Sequence, residues 1–244
     1  MVPPLVEKIL RSDGLTKEEL LEKKGSIYTF LNPVSYLNAQ KEKDLFQAFD
    51  GIFADGSLLV KAIRLLYGRK VTRRSFDMTS LAPVLLRYAL QEGKRVAIIA
   101  SKQEEVEQAV DIIRDQYPGI DITYWRNGYF SSATEIEAEA RHIAGIAPDY
   151  LIVGMGIVLQ EKMLLCAKKE GFGGIGFTCG GFIHQLCGGK DYYPVWIDRH
   201  NLRFVYRMYK EPHTRSRYAK AAIIFPPVFT GERITHLFKK TPSL

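Results

Sequence analysis

The chain has 244 residues, 46% hydrophobic and 25% charged, and its 34 Lys and Arg against 27 Asp and Glu give a net charge of +7. That is enough chain for one α/β domain, or one domain with an appendage, around a sizeable core. No window approaches the roughly 18 uninterrupted apolar residues of a membrane span, and the start, MVPPLVEKILRSDGLTKEEL, holds acidic residues and no long apolar run, so a cytoplasmic rather than an integral or exported protein is expected.

In chain order, IYTFLNP from Ile27 reads as a strand ending in a turn, and VSYLNAQKEKDLFQAF as one amphipathic helix. GIFADG is a short strand stopping at Asp55-Gly56, and SLLVKAIRLLYG a helix closed by Gly68. A helix capped near Asp77 or Thr79 comes next, then strand RVAIIAS and helix EEVEQAVDIIRDQYP. IDITYWRNGYF, ATEIEAEARHIAGIA and YLIVGMG continue as strand, helix and strand. Helix QEKMLLCAKKEG then leads to strand FGGIGFTCGG and its glycine-rich loop. Such alternation predicts a Rossmann-like α/β fold, a parallel sheet wrapped by helices with function at the carboxyl ends of its strands. No internal repeat appears, and the change of pattern at Gly188 to Pro194 predicts an α/β domain over 1–188 and a helical, basic C-terminal appendage over 189–244.

The most informative stretch is YLIVGMGIVLQEK from Tyr150. A buried strand ending in Gly154-x-Gly156 and opening a helix brings small residues, free N–H groups and a helix dipole to one point, which suits a phosphate-bearing ligand. The same pattern also makes an ordinary structural turn, so position decides. Asn32, Asp55, Arg73 or Arg74, Gly154, Gly156, Gln160, Gly180 and Gly181 all fall just past predicted strands and should line one rim. Taken singly, Asn32-Pro33 and Asp55-Gly56 are common turn dipeptides, and an aspartate before a helix is often its cap.

Cys166, Cys179 and Cys187 are too few and too irregular for a disulfide framework. The spacing Cys179-GGFI-His184-QL-Cys187 is not that of a zinc site, and no metal is expected. From Asp198 to Lys220 the chain carries Arg199, Arg203, Arg207, Lys210, Arg215, Arg217 and Lys220 among Phe204, Tyr206, Tyr209 and Tyr218, with AAIIFPPVF after them. Basic, aromatic and apolar residues together suit an anionic membrane surface, since apolar burial and charge attraction add. A solvated or core-packed helix face is the plainer alternative.

Taken together, Asn32-Pro33, FADG, RRSFD, NGYF, GMGIVLQE, CGGFIHQLCGG and LRFVYRMYKEP resemble the WecG/TagA/CpsF bacterial glycosyltransferases, in order and spacing, from about Ile27 to Tyr218. The resemblance implies an α/β domain with a membrane-directing appendage, transferring sugar from a UDP-sugar to a saccharide on a polyprenyl diphosphate carrier, without a required metal or cofactor. It implies Asp55 as general base, Arg73 (or Arg74) as the active-site arginine and Gln160 as the glutamine of a G-x-G-x-P-x-Q-E element. Asp55, Arg73 and Asn32 form the expected catalytic set, while Gly154, Gly156, Gln160, Gly180, Gly181, His184 and Arg207 are expected to contact substrate. Val158 departs from the usual proline, His184 from aspartate, Arg203 from glutamate, and DYYP from a more basic stretch, which leaves the donor sugar open.

The chemistry of the residues agrees. Glycosyl transfer needs a base for the acceptor hydroxyl and a home for the departing diphosphate charge, and no D-x-D element is present to hold a metal. The expectation is an inverting glycosyltransferase of envelope or exopolysaccharide assembly, peripheral on the inner face of the cytoplasmic membrane. Its partners would be the donor, the lipid-linked acceptor and the anionic surface, with no nucleic acid, and a homo-oligomer is left open. An NAD(P)-dependent oxidoreductase is the first alternative, though no G-x-G-x-x-G opens the first strand-helix unit. A basic nucleic-acid-binding module is the second, though it gives Asp55 no work.

Overall fold

The computed structural model describes residues 2–189, 196–197 and 203–238. Six strands, β1 (Ile27–Leu31), β2 (Gly51–Ala54), β3 (Val96–Ala100), β4 (Ile122–Arg126), β5 (Tyr150–Gly154) and β6 (Ile175–Thr178), form one sheet in the order β2-β1-β6-β5-β3-β4. Every pairing is parallel. All strands but the edge strand β4 are buried along their whole length, because helices cover both faces.

One face is packed by α2 (Lys17–Glu22), α6 (Ala82–Gln91), α7 (Gln103–Gln116) and α10 (Phe182–Cys187). The other is packed by α1 (Pro4–Asp13), α3 (Pro33–Ala39), α4 (Lys43–Gln47), α5 (Ser57–Tyr67), α8 (Ala133–Ile146) and α9 (Leu159–Lys169). The chain therefore leaves neighbouring strands β6, β5 and β3 toward alternate faces, which opens a crevice at their carboxyl ends. The other edge strand, β2, is blunted by α1, whose Ser12 hydroxyl accepts a hydrogen bond from the Ile52 amide at 2.9 Å.

Two helix expectations needed correction. The stretch VSYLNAQKEKDLFQAF is two helices, α3 and α4, broken at Gln40 to Glu42. In a straight helix Phe46 would point about 80° away from Tyr36, yet both are fully buried, and the break turns each toward the core. The helix expected to start near Asp77 begins at Ala82, with Leu81 at its N-cap and no side-chain cap. Asp77 instead closes a turn: its Oδ1 accepts from the Thr79 amide at 2.8 Å and its Oδ2 from the Ser75 hydroxyl at 2.7 Å.

Beyond the sheet lie α11 (Arg203–Lys210) and α12 (Arg215–Phe238), joined by a short 3-10 turn. Phe225 and Phe229 of α12 pack on Tyr36 of α3, and the Tyr36 hydroxyl donates to Glu232 at 2.7 Å. The run AAIIFPPVF is thus split between environments: Phe225 and Phe229 belong to the core, while Ile223 and Ile224 are exposed. Asp191 to Pro194, Asp198, Arg199 and the side chains of Arg203 and Phe204 lie outside the described residues. Among the described residues no helix is long and apolar enough to cross a membrane.

Candidate active site

A single cleft of about 1410 Å³ opens over the carboxyl ends of the strands, and all ten expected site residues line it. The sheet register places most of them. Leu31 pairs with Ala54, so Asn32 and Asp55 leave adjacent strands side by side, and the Asp55 amide donates to the Leu31 carbonyl at 2.8 Å. Ala100 likewise pairs with Gly154 and Val153 with Thr178, which brings Ser101, Gly154 and the glycine loop after β6 to the same rim.

The loop between α5 and α6 separates two consecutive arginines. Arg73 lines the cleft, its Nε 3.7 Å from Asp55 Oδ1 and its Nη2 3.6 Å from Asp77 Oδ2. Arg74 turns away: its guanidinium donates to the Leu15 and Asp13 carbonyls and lies 5.1 Å from the Phe53 ring centroid. Pairs as long and as exposed as those of Arg73 are worth at most about 1 kcal/mol of stability. Their consequence is orientation of Asp55 rather than folding.

Asn32 has a structural duty. Its Oδ1 accepts from the Val34 and Ser35 amides at 3.0 and 3.1 Å, capping α3 while its residue lines the cleft.

At the β5 end, a Cβ on Gly154 would lie 2.7 Å from Cys179 Sγ, so glycine is required for the two loops to meet. Gly156 has φ 81, where only glycine is unstrained. The amino end of α9 is already occupied by its own side chain. Glu161, fully buried, accepts from the Val158 amide at 2.6 Å, the Thr29 hydroxyl at 2.8 Å and Gln160 at 3.0 Å. Burial pushes its carboxyl above the usual range. Gln160 in turn accepts from the Gly180 amide at 3.2 Å, tying the two glycine loops together.

The C-terminal segment completes the rim. Arg207 of α11 lies over Gly181, where a Cβ would come within 2.5 Å of its Nη2, and its Nε donates to buried Glu211 at 3.1 Å. His184 lines the cleft with its Nδ1 2.8 Å from Glu105 Oε1. Burial opposes ionisation of Glu105, but hydrogen bonds from Ser101 and His184 win and hold its carboxyl below the usual range.

Sequence reasoning overlooked Asp77, Ser101 and Glu105 as cleft residues. Ser101 follows a strand as directly as Asp55 does, and Glu105 is one helical turn beyond it, so the rule that found the others applied to them equally. Glu161, which holds the loop from inside, is the last residue of the G-x-G-x-P-x-Q-E element, but the motif alone does not tell that its carboxylate turns inward to the loop.

A parallel sheet with a carboxylate, a guanidinium and two glycine loops converging on its carboxyl edge defines a Rossmann-like α/β enzyme. The chain matches the glycosyl transferase WecG/TagA/CpsF family over residues 12–238, and it belongs to that family. It is 36% identical over 224 residues to the Shigella boydii UDP-Gal:alpha-D-GlcNAc-diphosphoundecaprenol beta-1,4-galactosyltransferase, covering 91% of this chain and 94% of that protein. It is 28% identical over 215 residues to the Bacillus subtilis N-acetylglucosaminyldiphosphoundecaprenol N-acetyl-beta-D-mannosaminyltransferase, covering 86% and 82% respectively. The protein is a glycosyltransferase, which excludes the oxidoreductase and nucleic-acid readings.

Proposed function

We propose that the protein transfers a hexose or N-acetylhexosamine from a UDP-sugar to a saccharide on a polyprenyl diphosphate, with inversion, during envelope or exopolysaccharide assembly. The observation that carries this is the pairing of Asp55 with Arg73 at 3.7 Å inside the cleft, beside the glycine loops. Asp55 takes the proton of the acceptor hydroxyl as that oxygen bonds to the anomeric carbon, and the bond from that carbon to the UDP oxygen breaks. Cationic side chains then meet the diphosphate charge: Arg207 lies over one glycine loop, and Arg73, 3.7 Å from Asp55, adds positive charge to the same cleft while it orients the base. Gly154, Gly156, Gly180 and Gly181 let backbone approach the donor, Gln160 holds their loops in register, and His184 contacts substrate from the β6 side.

Residues 189–244 act as an appendage that both supplies Arg207 and lies on the inner face of the cytoplasmic membrane. Exposed Arg215, Lys220, Ile223 and Ile224 on α12 support that reading, since charge and apolar burial add at such a surface. The names of the relatives point to galactose, from UDP-galactose, and N-acetylmannosamine as the first sugars to try, the latter also as its UDP derivative on the present reading, and to GlcNAc-diphosphoundecaprenol as the first acceptor. The test is a panel of UDP-sugars with that acceptor in excess EDTA, alongside a thermal-shift assay with UDP. Sugar transfer and a UDP-dependent rise in Tm are expected. Strict dependence on a divalent ion, or no transfer from any donor in the panel, overturns the proposal.

A further inference from the structure

Helix α5 carries two apolar stripes, and only one belongs to the core. Leu59 and Ile63 are fully buried against the sheet. Leu58, Ala62 and Leu65 follow one another at helical spacing along a different line, and all three line the cleft, with Leu58 46% and Leu65 83% exposed. The same cleft is lined from α12 by Ala222, Phe225 and Pro226. The two helices meet where Tyr67 packs edge-on to Phe229, with ring centroids 5.6 Å apart.

This apolar arm begins at the chemistry. Leu58 lies only three residues after Asp55, at the first turn of α5, so a ligand seated along the stripe would have its head beside the carboxylate. Size points the same way. Pockets for one drug-sized ligand run to about 1,000 Å³, and the cleft's 1410 Å³ leaves room beyond such a ligand. A stripe of this kind left open to water is unfavourable unless something covers it.

We propose that the arm between α5 and α12 seats the first isoprenoid units of the lipid carrier, so that the acceptor is read by its chain as well as by its saccharide. This rests on the glycosyl-transfer reading above. It adds a lipid site within the protein, distinct from attachment to a bilayer surface. An isoprenoid suits the arm because it is branched, wholly apolar and needs no hydrogen-bond partner, while its diphosphate would lie toward the arginine-bearing rim.

Two measurements without a bilayer test it. Binding of geranylgeranyl diphosphate, geranyl diphosphate and inorganic pyrophosphate to the full chain should strengthen with chain length, the C20 compound at least tenfold over pyrophosphate. Ala62→Trp, which fills the arm, should erase that preference, with the UDP thermal shift as the check that the variant is folded. In transfer assays the KM for a short-alkyl acceptor should exceed that for a long-prenyl acceptor at least tenfold, and Ala62→Trp should bring the ratio toward one. Equal binding of all three ligands by the wild type, or an unchanged preference in Ala62→Trp, overturns the proposal. So does a concentration-dependent dimer that Leu65→Asp dissociates while the prenyl preference persists, since the stripe would then be an interface between copies. Loss of all sugar transfer alongside retained, chain-length-dependent prenyl binding would overturn the reaction and uphold the lipid site.

Discussion

The two arms of the cleft are built by different means. The polar arm stands on strand ends: Asp55 is tied by its own amide to Leu31, the Arg74 amide donates to the Ala54 carbonyl at 3.0 Å, and Gln160 joins the loops after β5 and β6. The apolar arm depends on side chains from helices far apart in sequence, chiefly Phe225 and Phe229 against Tyr36 and one hydrogen bond from Tyr36 to Glu232. Strand ends in a buried parallel sheet cannot shift without breaking ladder hydrogen bonds, whereas a docked helix can tilt or part from its neighbour at the cost of a few contacts. The strand-built arm is therefore the rigid one, and the helix-built arm the adjustable one.

The largest expected effect lies in the polar arm. Asp55→Asn should lower turnover by about a hundredfold or more, the usual size of a general-base effect, with UDP affinity nearly unchanged in a thermal-shift titration. Near-normal turnover would reduce Asp55 to a turn residue and leave the polar arm without its base.

Substituting the consecutive arginines separates chemistry from folding within one loop. Arg73→Ala should cost roughly tenfold or more in kcat/KM, about 1.4 kcal/mol of transition-state stabilisation, with Tm close to wild type. Arg74→Ala should do the reverse, because its guanidinium satisfies the Leu15 and Asp13 carbonyls and packs on Phe53. The opposite pattern in paired kinetics and melting curves would exchange their roles.

A smaller effect tests the C-terminal side. Arg217 lines the cleft, so the clean surface variant is the double charge reversal of Arg215 and Lys220, both exposed and both outside the lining. At about 1 kcal/mol for each basic residue near an anionic surface, that variant should leave anionic liposomes in a sedimentation assay while retaining its UDP thermal shift. Undiminished sedimentation at low salt would make this stretch a solvated face.

The smallest concerns acid stability. Glu105 is held below the ordinary glutamate value of 4.5, so the stability it contributes is present above that value and is lost as pH falls through its lower folded-state value. Glu105→Gln should therefore flatten the fall of Tm with acidification below pH 4.5. An unaltered slope would show that the contact with His184 and Ser101 carries no linkage.

Much of this was legible in the residues. Apolar runs that alternate with amphipathic segments specify strands buried on both faces and helices over them, because period and length alone decide which segments can hide their backbone. Asn32, Asp55, Gly154 and Gly180 follow those runs, so their common rim is a consequence of parallel topology. What the sequence could not decide were direction and long-range partnership. Which of Arg73 and Arg74 faces the cleft depends on carbonyls at Asp13 and Leu15, about 60 residues away along the chain. Tyr36 and Phe46 look like one helix until the core asks both to turn inward. AAIIFPPVF reads as a uniform apolar run, yet Phe225 and Phe229 are claimed by Tyr36 while Ile223 and Ile224 are left in the open. Local pattern determines which residues are apolar and where the backbone bends. Only tertiary packing settles which apolar side chain finds a partner, since that is a competition among surfaces brought together by the whole chain.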